Sequence, residues 1–278
     1  MKTKSEKKKF YKAMLLPIVL CLIGGLLVIV FAGRFGKNGS DQHKFRQRQD
    51  KEEFDVCLAE SNQVVIDFAK AHNLDLHAWP NDLIRLLEDN PDTTEFVLHY
   101  PLKKDGSWAI DLSECAGSGE VPLLLQWDER WGYSKYAGEI MGLSGCAPTC
   151  LSMVCIYLLD DGQYTPRYIA DFAQQEGYCV LGNGSTWTLI SEGGKALGLD
   201  VIEIPLDKNR IISNLEAGNP IVCVMGPGDF TSTGHFIVMA DYVDGKIKVN
   251  DPNSPTRSNM LWDYDVIKDQ VRNLWVCR

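Results

Sequence analysis

Along this chain the pattern of apolar and polar positions changes four times. Residues 13–33, AMLLPIVLCLIGGLLVIVFAG, carry no charged side chain. That run is about the length needed to cross a hydrocarbon core of roughly 30 Å. Residues 34–51 turn polar, with Gly, Gln, Lys and Arg, and read as a solvated linker. In 52–120, Phe54, Val56, Leu58, Val64, Val65 and Phe68 recur at roughly helical spacing. Trp79-Pro80-Asn81-Asp82 opens a second helix, and Asn90-Pro91-Asp92 stops it. Gly106, Gly117 and Gly119 mark loops, so 52–120 is expected to be a small helical cap or brace.

From Val121 the texture changes again. Helices are predicted over 146–159, with Pro148 in the first turn where a missing N–H costs little, then over 165–175, 185–197 and 207–217. Strands follow at 221–225, 235–243, 246–250 and 272–276, with Asp244-Gly245 as a hairpin turn. Helices first and antiparallel strands afterwards make an α+β domain over 121–278.

Charge sharpens the picture at the N-terminus. Residues 1–12 hold six lysines and one glutamate, a local +5, while the whole chain carries −9, which leaves −14 for the remainder. A basic tail before an apolar segment places 1–12 in the cytoplasm and everything after Arg34 outside. The expected location is the cell membrane, single-pass with 13–33 as signal-anchor; the other reading of Val30-Phe31-Ala32 is a cleavage site that frees the same domain. An acidic body argues against nucleic acid as a partner, since phosphate binding needs clustered Lys and Arg.

Four residues supply candidate chemistry. Gly145-Cys146-Ala147-Pro148 puts a cysteine at the mouth of a helix, where unpaired N–H groups and the helix dipole favour a thiolate. Of the five histidines only His235 follows Cys146, at the start of a strongly apolar strand. Asp251 ends the hairpin partner of that strand, in position to accept the Nδ1 proton of the ring and fix its tautomer. Gln126 lies upstream, with an amide suited to donate, beside the Cys146 N–H, to an oxyanion. Singly, each has a plainer reading: a small buried thiol, a structural histidine, a turn aspartate, a surface glutamine. The order of all four together is the informative feature.

That order, with VPLLLQWDERWGY (121–133), GCAPTCLSMV (145–154), GHFIVM (234–239) and VNDPNS (249–254), resembles the papain-like cysteine peptidases related to the bacteriocin-processing, double-glycine-cleaving enzymes. The resemblance covers essentially all of 121–278, and residues 79–101 are also similar to the region preceding this domain in such relatives. It implies a nucleophile helix packed on an antiparallel sheet, Cys146 as nucleophile, His235 as general base and acid, Asp251 as orienter and Gln126 as oxyanion donor. The implied reaction is cleavage of a peptide or amide bond through a thioester, on a peptide or cell-wall peptide substrate. Well-known members precede a transporter ATPase; this chain has no Gly-Lys-Ser/Thr phosphate loop, so Gly-Gly specificity does not carry over. A module that binds peptides or wall fragments without turnover, and an acyl or amide transferase, use the same residues.

Cys150 and Cys155 share the helix with Cys146, but no C-x-x-C pair or histidine-rich partner accompanies them, so no metal and no cofactor is expected. An oxidising exterior permits a Cys57–Cys115 disulfide bracing the cap; free thiols are the alternative. Trp187 reads as a core residue, with a cleft wall as its other role.

Overall fold

The computed structural model describes residues 57–278. The basic tail, the apolar segment 13–33, the linker 34–51 and the start of the cap region lie outside the described residues. Among the described residues no helix is long and apolar enough to cross a membrane. Leu58–Arg278 form one compact unit.

Its centre is a six-stranded antiparallel sheet: β1 (Val201–Glu203), β2 (Ile221–Met225), β3 (His235–Val243), β4 (Lys246–Asn250), β5 (Leu261–Trp262) and β6 (Val271–Cys277). The spatial order is β1-β6-β2-β3-β4-β5. Every residue of β2 is buried, because both faces of the sheet are covered. Against one face lies α4 (Cys146–Leu159), whose Ala147, Cys150, Leu151 and Val154 share a core with Val222, Phe236, Val238 and Trp275. On the other face Ile211 and Leu215 of α6 (Lys208–Glu216) pack on Ile221, Ile237 and Met239. Each fully buried aliphatic side chain of this kind contributes about 1.5–3 kcal/mol. Alternating side chains thus serve two cores, which explains why the strands read as continuous apolar runs rather than as a polar–apolar alternation.

The expected α+β, papain-like arrangement of a nucleophile helix on an antiparallel sheet is present. Helix α5 (Pro166–Gln175) starts where Thr165 caps it, its hydroxyl accepting from the Tyr168 N–H. The β3–β4 hairpin turns at Asp244 and Gly245, both with φ near the left-handed region, 52° and 80°. One predicted helix begins late. Gly184–Ser185 pair with Cys179–Val180 as a short hairpin, so helix starts only at Leu189, and its first turn is a π-type turn, Leu189–Gly193.

The cap region contributes α1 (Gln63–His72), α2 (Asn81–Asp89) and α3 (Thr94–Lys103). The N-cap Asn62 and the turn residue Asn90 delimit the first two, as turn chemistry requires. Three kinds of contact tie the cap to the body. Tyr133 Oη donates to the Phe96 carbonyl at 2.8 Å, and His99 Nδ1 and the Lys103 ammonium both meet Glu129. The Phe96 ring, 2% exposed, stacks on Tyr133 with centroids 4.5 Å apart. It also fills a slot between two glycines: a Cβ on Gly142 would come within 2.5 Å of its Cζ, and one on Gly132 within 2.7 Å of its Cε2. The Cys57–Cys115 disulfide is not formed; Cys115 keeps its thiol.

Gly142→Ala is therefore expected to destabilise the chain by about 1–3 kcal/mol through overpacking. Shrinking the ring with Phe96→Leu in the same chain should recover part of that loss. Denaturant unfolding of the native chain and the two variants measures both effects, and an unchanged midpoint for Gly142→Ala would contradict the slot.

Candidate active site

Cys146 is the first residue of α4, and Gly145 occupies the cap position without a side chain to block it. Only glycine fits there, since a Cβ would lie 2.5 Å from the Met141 carbonyl oxygen. Pro148 removes one more N–H from the first turn. Cys146 is half-buried as a residue, and its sulfur is hydrogen-bonded to the His235 ring and to the backbone N–H groups of Phe236 and Ala147. Burial alone would raise the thiol's pKa; the His235 hydrogen bond and charge, with the two N–H groups, outweigh it and hold the thiol below its ordinary value.

His235 begins β3 and is buried. Its Nε2 lies 2.7 Å from Asp251 Oδ1. This differs from the sequence-based expectation, which gave Nδ1 to the aspartate. The imidazole has two nitrogens, so with Nε2 on Asp251 it is Nδ1 that faces the thiol. Burial pushes the ring toward its neutral form, yet the Asp251 charge and hydrogen bond, reinforced by Cys146, raise its pKa above the ordinary histidine value. Lowered thiol and raised imidazole together describe a thiolate–imidazolium pair.

Asp251 follows β4 and has no exposed surface. Its carboxylate is fully occupied. Oδ1 also accepts from the Asn253 N–H at 2.8 Å, and Oδ2 accepts from Arg257 Nε at 2.6 Å. Burial raises the carboxyl's pKa, and the two neighbouring cations more than reverse this, so the group stays ionised. Arg257 sits in a short helical turn, Pro255–Ser258, and the sequence reading missed it. Ser254-Pro255 is the available signal: a capping serine and a first-turn proline start a helix that turns Arg257 back toward Asp251.

Gln126 is placed between the two halves of the site. Its backbone N–H donates to the Pro252 carbonyl at 2.7 Å, one residue past Asp251. Its Nε2 donates to the Gly142 carbonyl at 2.8 Å, in the turn Met141–Ser144 that leads into Cys146. One amide proton remains for an oxyanion. The Gln126 Oε1 is buried with no hydrogen-bond partner among the described residues. Thus Cys146, His235 and Asp251 form a continuous hydrogen-bonded series, and Gln126 is fixed to the segments flanking it.

The four fully buried thiols differ in character. Burial drives the pKa values of Cys150, Cys155, Cys223 and Cys277 upward, which keeps them protonated and unreactive. Trp187 is not a core residue: it is 48% exposed and rests edge-on against Trp275, with ring centroids 6.0 Å apart.

The cap reaches this site as well. Asn90 Nδ2 donates to the Asn253 carbonyl at 2.6 Å, and Thr256 Oγ1 donates to Asp92 Oδ2 at 3.0 Å. Trp127 Nε1 donates to the same Asn253 carbonyl at 3.1 Å.

Comparisons with known proteins bear on this geometry. No curated protein matches the chain. The peptidase domain of Streptococcus ComA, a bi-functional ABC transporter involved in a quorum-sensing pathway, is similar at 16% identity over 48% of this chain and 89% of that one, with a TM-score of 0.39. A putative C39-like peptidase from Bacillus anthracis is similar at 14% identity over 59% of this chain and 96% of that one, again with a TM-score of 0.39. The model of the Peptidase_C39 like family matches residues 119–277, more than half of the chain and a span that contains Gln126, Cys146, His235 and Asp251. The chain belongs to the Peptidase_C39 like family.

Proposed function

We propose that this protein is an extracytoplasmic cysteine hydrolase that cleaves a peptide or amide bond through a thioester. The observation that carries the reading is the hydrogen-bonded series from the Cys146 sulfur, at the start of α4, through His235 to the buried Asp251. In the first step the thiolate sulfur bonds to the substrate carbonyl carbon. The C–N bond then breaks, and the nitrogen leaves with the proton from His235 Nδ1. In the second step water bonds to the thioester carbon and gives a proton to the now neutral ring. The C–S bond breaks, releasing an acid and restoring the thiolate–imidazolium pair. Gln126 and the N–H groups at the start of α4 stabilise the oxyanion formed in each step. Asp251 is the group that orients His235.

The location rests on the apolar segment 13–33 behind six lysines. Substrate access from outside follows from it. Peptides, including the peptide parts of a cell wall, are the substrate class that this chemistry and this location serve.

Alkylation of the full chain with iodoacetamide at neutral pH should label Cys146 well before Cys150, Cys155, Cys223 and Cys277. Even labelling across these thiols would sink the hydrolase reading. Against a peptide library, Cys146→Ala should abolish turnover. His235→Ala should lower it by about 10²–10⁴-fold, and Gln126→Ala should lower kcat by about 10²–10³-fold.

The pH dependence follows from the direction of each shift. A thiol pKa held below its ordinary value and an imidazole pKa raised above its own leave an active window between them. Activity is expected to fall on the acid side as the thiolate is protonated, and on the alkaline side as the imidazolium loses its proton. Asp251→Asn removes the negative charge beside the ring, so the alkaline limb should move to lower pH; an unmoved limb would contradict the assigned role.

In cells of the source organism, the intact protein should fractionate with membranes, and protease added from outside should digest the domain. Protection in intact cells, lost on lysis, would place the domain on the other side.

A further inference from the structure

Asp251 faces two cations of different character. On Oδ1 is His235, whose charge comes and goes during the proposed reaction; on Oδ2 is Arg257, which is charged at every working pH. The carboxylate has no exposed surface, and the Arg257 side chain is only 24% exposed. Arg257 is itself held in place. Its N–H donates to Ser254 Oγ at 3.2 Å, and its carbonyl accepts from Trp262 Nε1 at 3.1 Å. The neighbouring Thr256 is bonded to Asp92 of the cap. The other groups facing the pair are the thiols of α4: Cys146 against the ring, and Cys150, which is protonated, toward Asp251.

A buried carboxylate left without a counter-ion is costly. If His235 were its only cation, the site would be compensated in one protonation state of the ring and uncompensated in the other. The ring would then hold its proton too tightly to pass it to a leaving nitrogen or to accept one from water. We propose that Arg257 is a positioning residue that acts as a permanent counter-ion of Asp251, bringing the charged and neutral forms of His235 closer in energy. The inference rests on the cysteine-hydrolase reading and acts through Asp251, without contact to substrate.

The test is the pH dependence of Cys146 alkylation by iodoacetate in the full chain, with label at Cys146 read by mass spectrometry. The anionic reagent is drawn to the imidazolium, so its rate falls as the ring deprotonates, and the alkaline limb reports His235. Removing a positive charge from the vicinity strengthens the hold of Asp251 on the ring proton. In Arg257→Gln the limb should therefore move to higher pH by more than about half a unit. Arg257→Lys retains the charge, and its limb should stay within about half a unit of the native position. A limb in Arg257→Gln that moves down, or moves up by less than about half a unit, overturns the proposal. Should Arg257→Gln not fold, Arg257→His, whose imidazole is neutral over the alkaline limb, takes its place: a limb raised by more than about half a unit supports the proposal, and a smaller or downward shift overturns it. A merely structural arginine would alter the rate at all pH values without moving the limb. If Cys146 in the native chain shows no preferential labelling, the hydrolase reading itself fails; if it labels and only the limb disagrees, the failure belongs to Arg257.

Discussion

A separated thiolate and imidazolium at the edge of an apolar core is an expensive arrangement unless every surrounding group favours it, and the rest of this fold is organised by that demand. The sulfur needs N–H donors, which the start of α4 and the Phe236 backbone provide. The ring needs a fixed acceptor, which the end of β4 provides. The acceptor in turn is fully buried and needs partners for both oxygens, which the segment 253–257 provides. None of these groups lies on a freely moving side chain. Each is attached to a helix start, a strand end or a bonded turn, so the geometry is set by the backbone rather than by rotamer choice.

The sheet supports this by having no open face around the site. Apolar side chains from β2 and β3 fill one core beneath α4 and another beneath α6. His235 therefore enters its strand at a fully packed register, paired through Met225 on β2, and a one-residue slip would expose an entire apolar row. The bulge between Met239 and Asp241 lies farther along the same strand, away from the histidine end.

Much of this was legible in the sequence, for identifiable reasons. Pro148 after Gly145-Cys146 signals a helix start, and apolar runs bounded by Gly or Pro signal buried strands. Asp244-Gly245 fixes the hairpin, and with it the meeting of His235 and Asp251. What was not legible depends on geometry without a local pattern. The choice of ring nitrogen follows from how the side chain leaves β3. Strands as short as Val201–Glu203 and Leu261–Trp262 have too few residues to show a period. Gly184–Ser185 look like a helix lead-in until their pairing with Cys179–Val180 is known. Arg257 lies in Pro255-Thr256-Arg257-Ser258, which reads as an ordinary surface turn, and only its spatial partner gives it meaning. Trp187 was assigned to the core by residue type, whereas its position just after that hairpin leaves much of the ring in solvent.

The turn after β4 joins parts of the chain that are far apart in sequence. The carbonyl of Asn253 is shared by Asn90 and Trp127, and that of Pro252 is taken by Gln126. Two of these three partners fall inside the span matched to the family, and Asn90 falls before it. A chimera assembled from relatives at the family boundary would inherit this turn from one parent and Asn90 from the other. Compatible recombination points in this chain therefore lie before Leu58, where the compact unit begins, and not at the junction that sequence matching alone suggests.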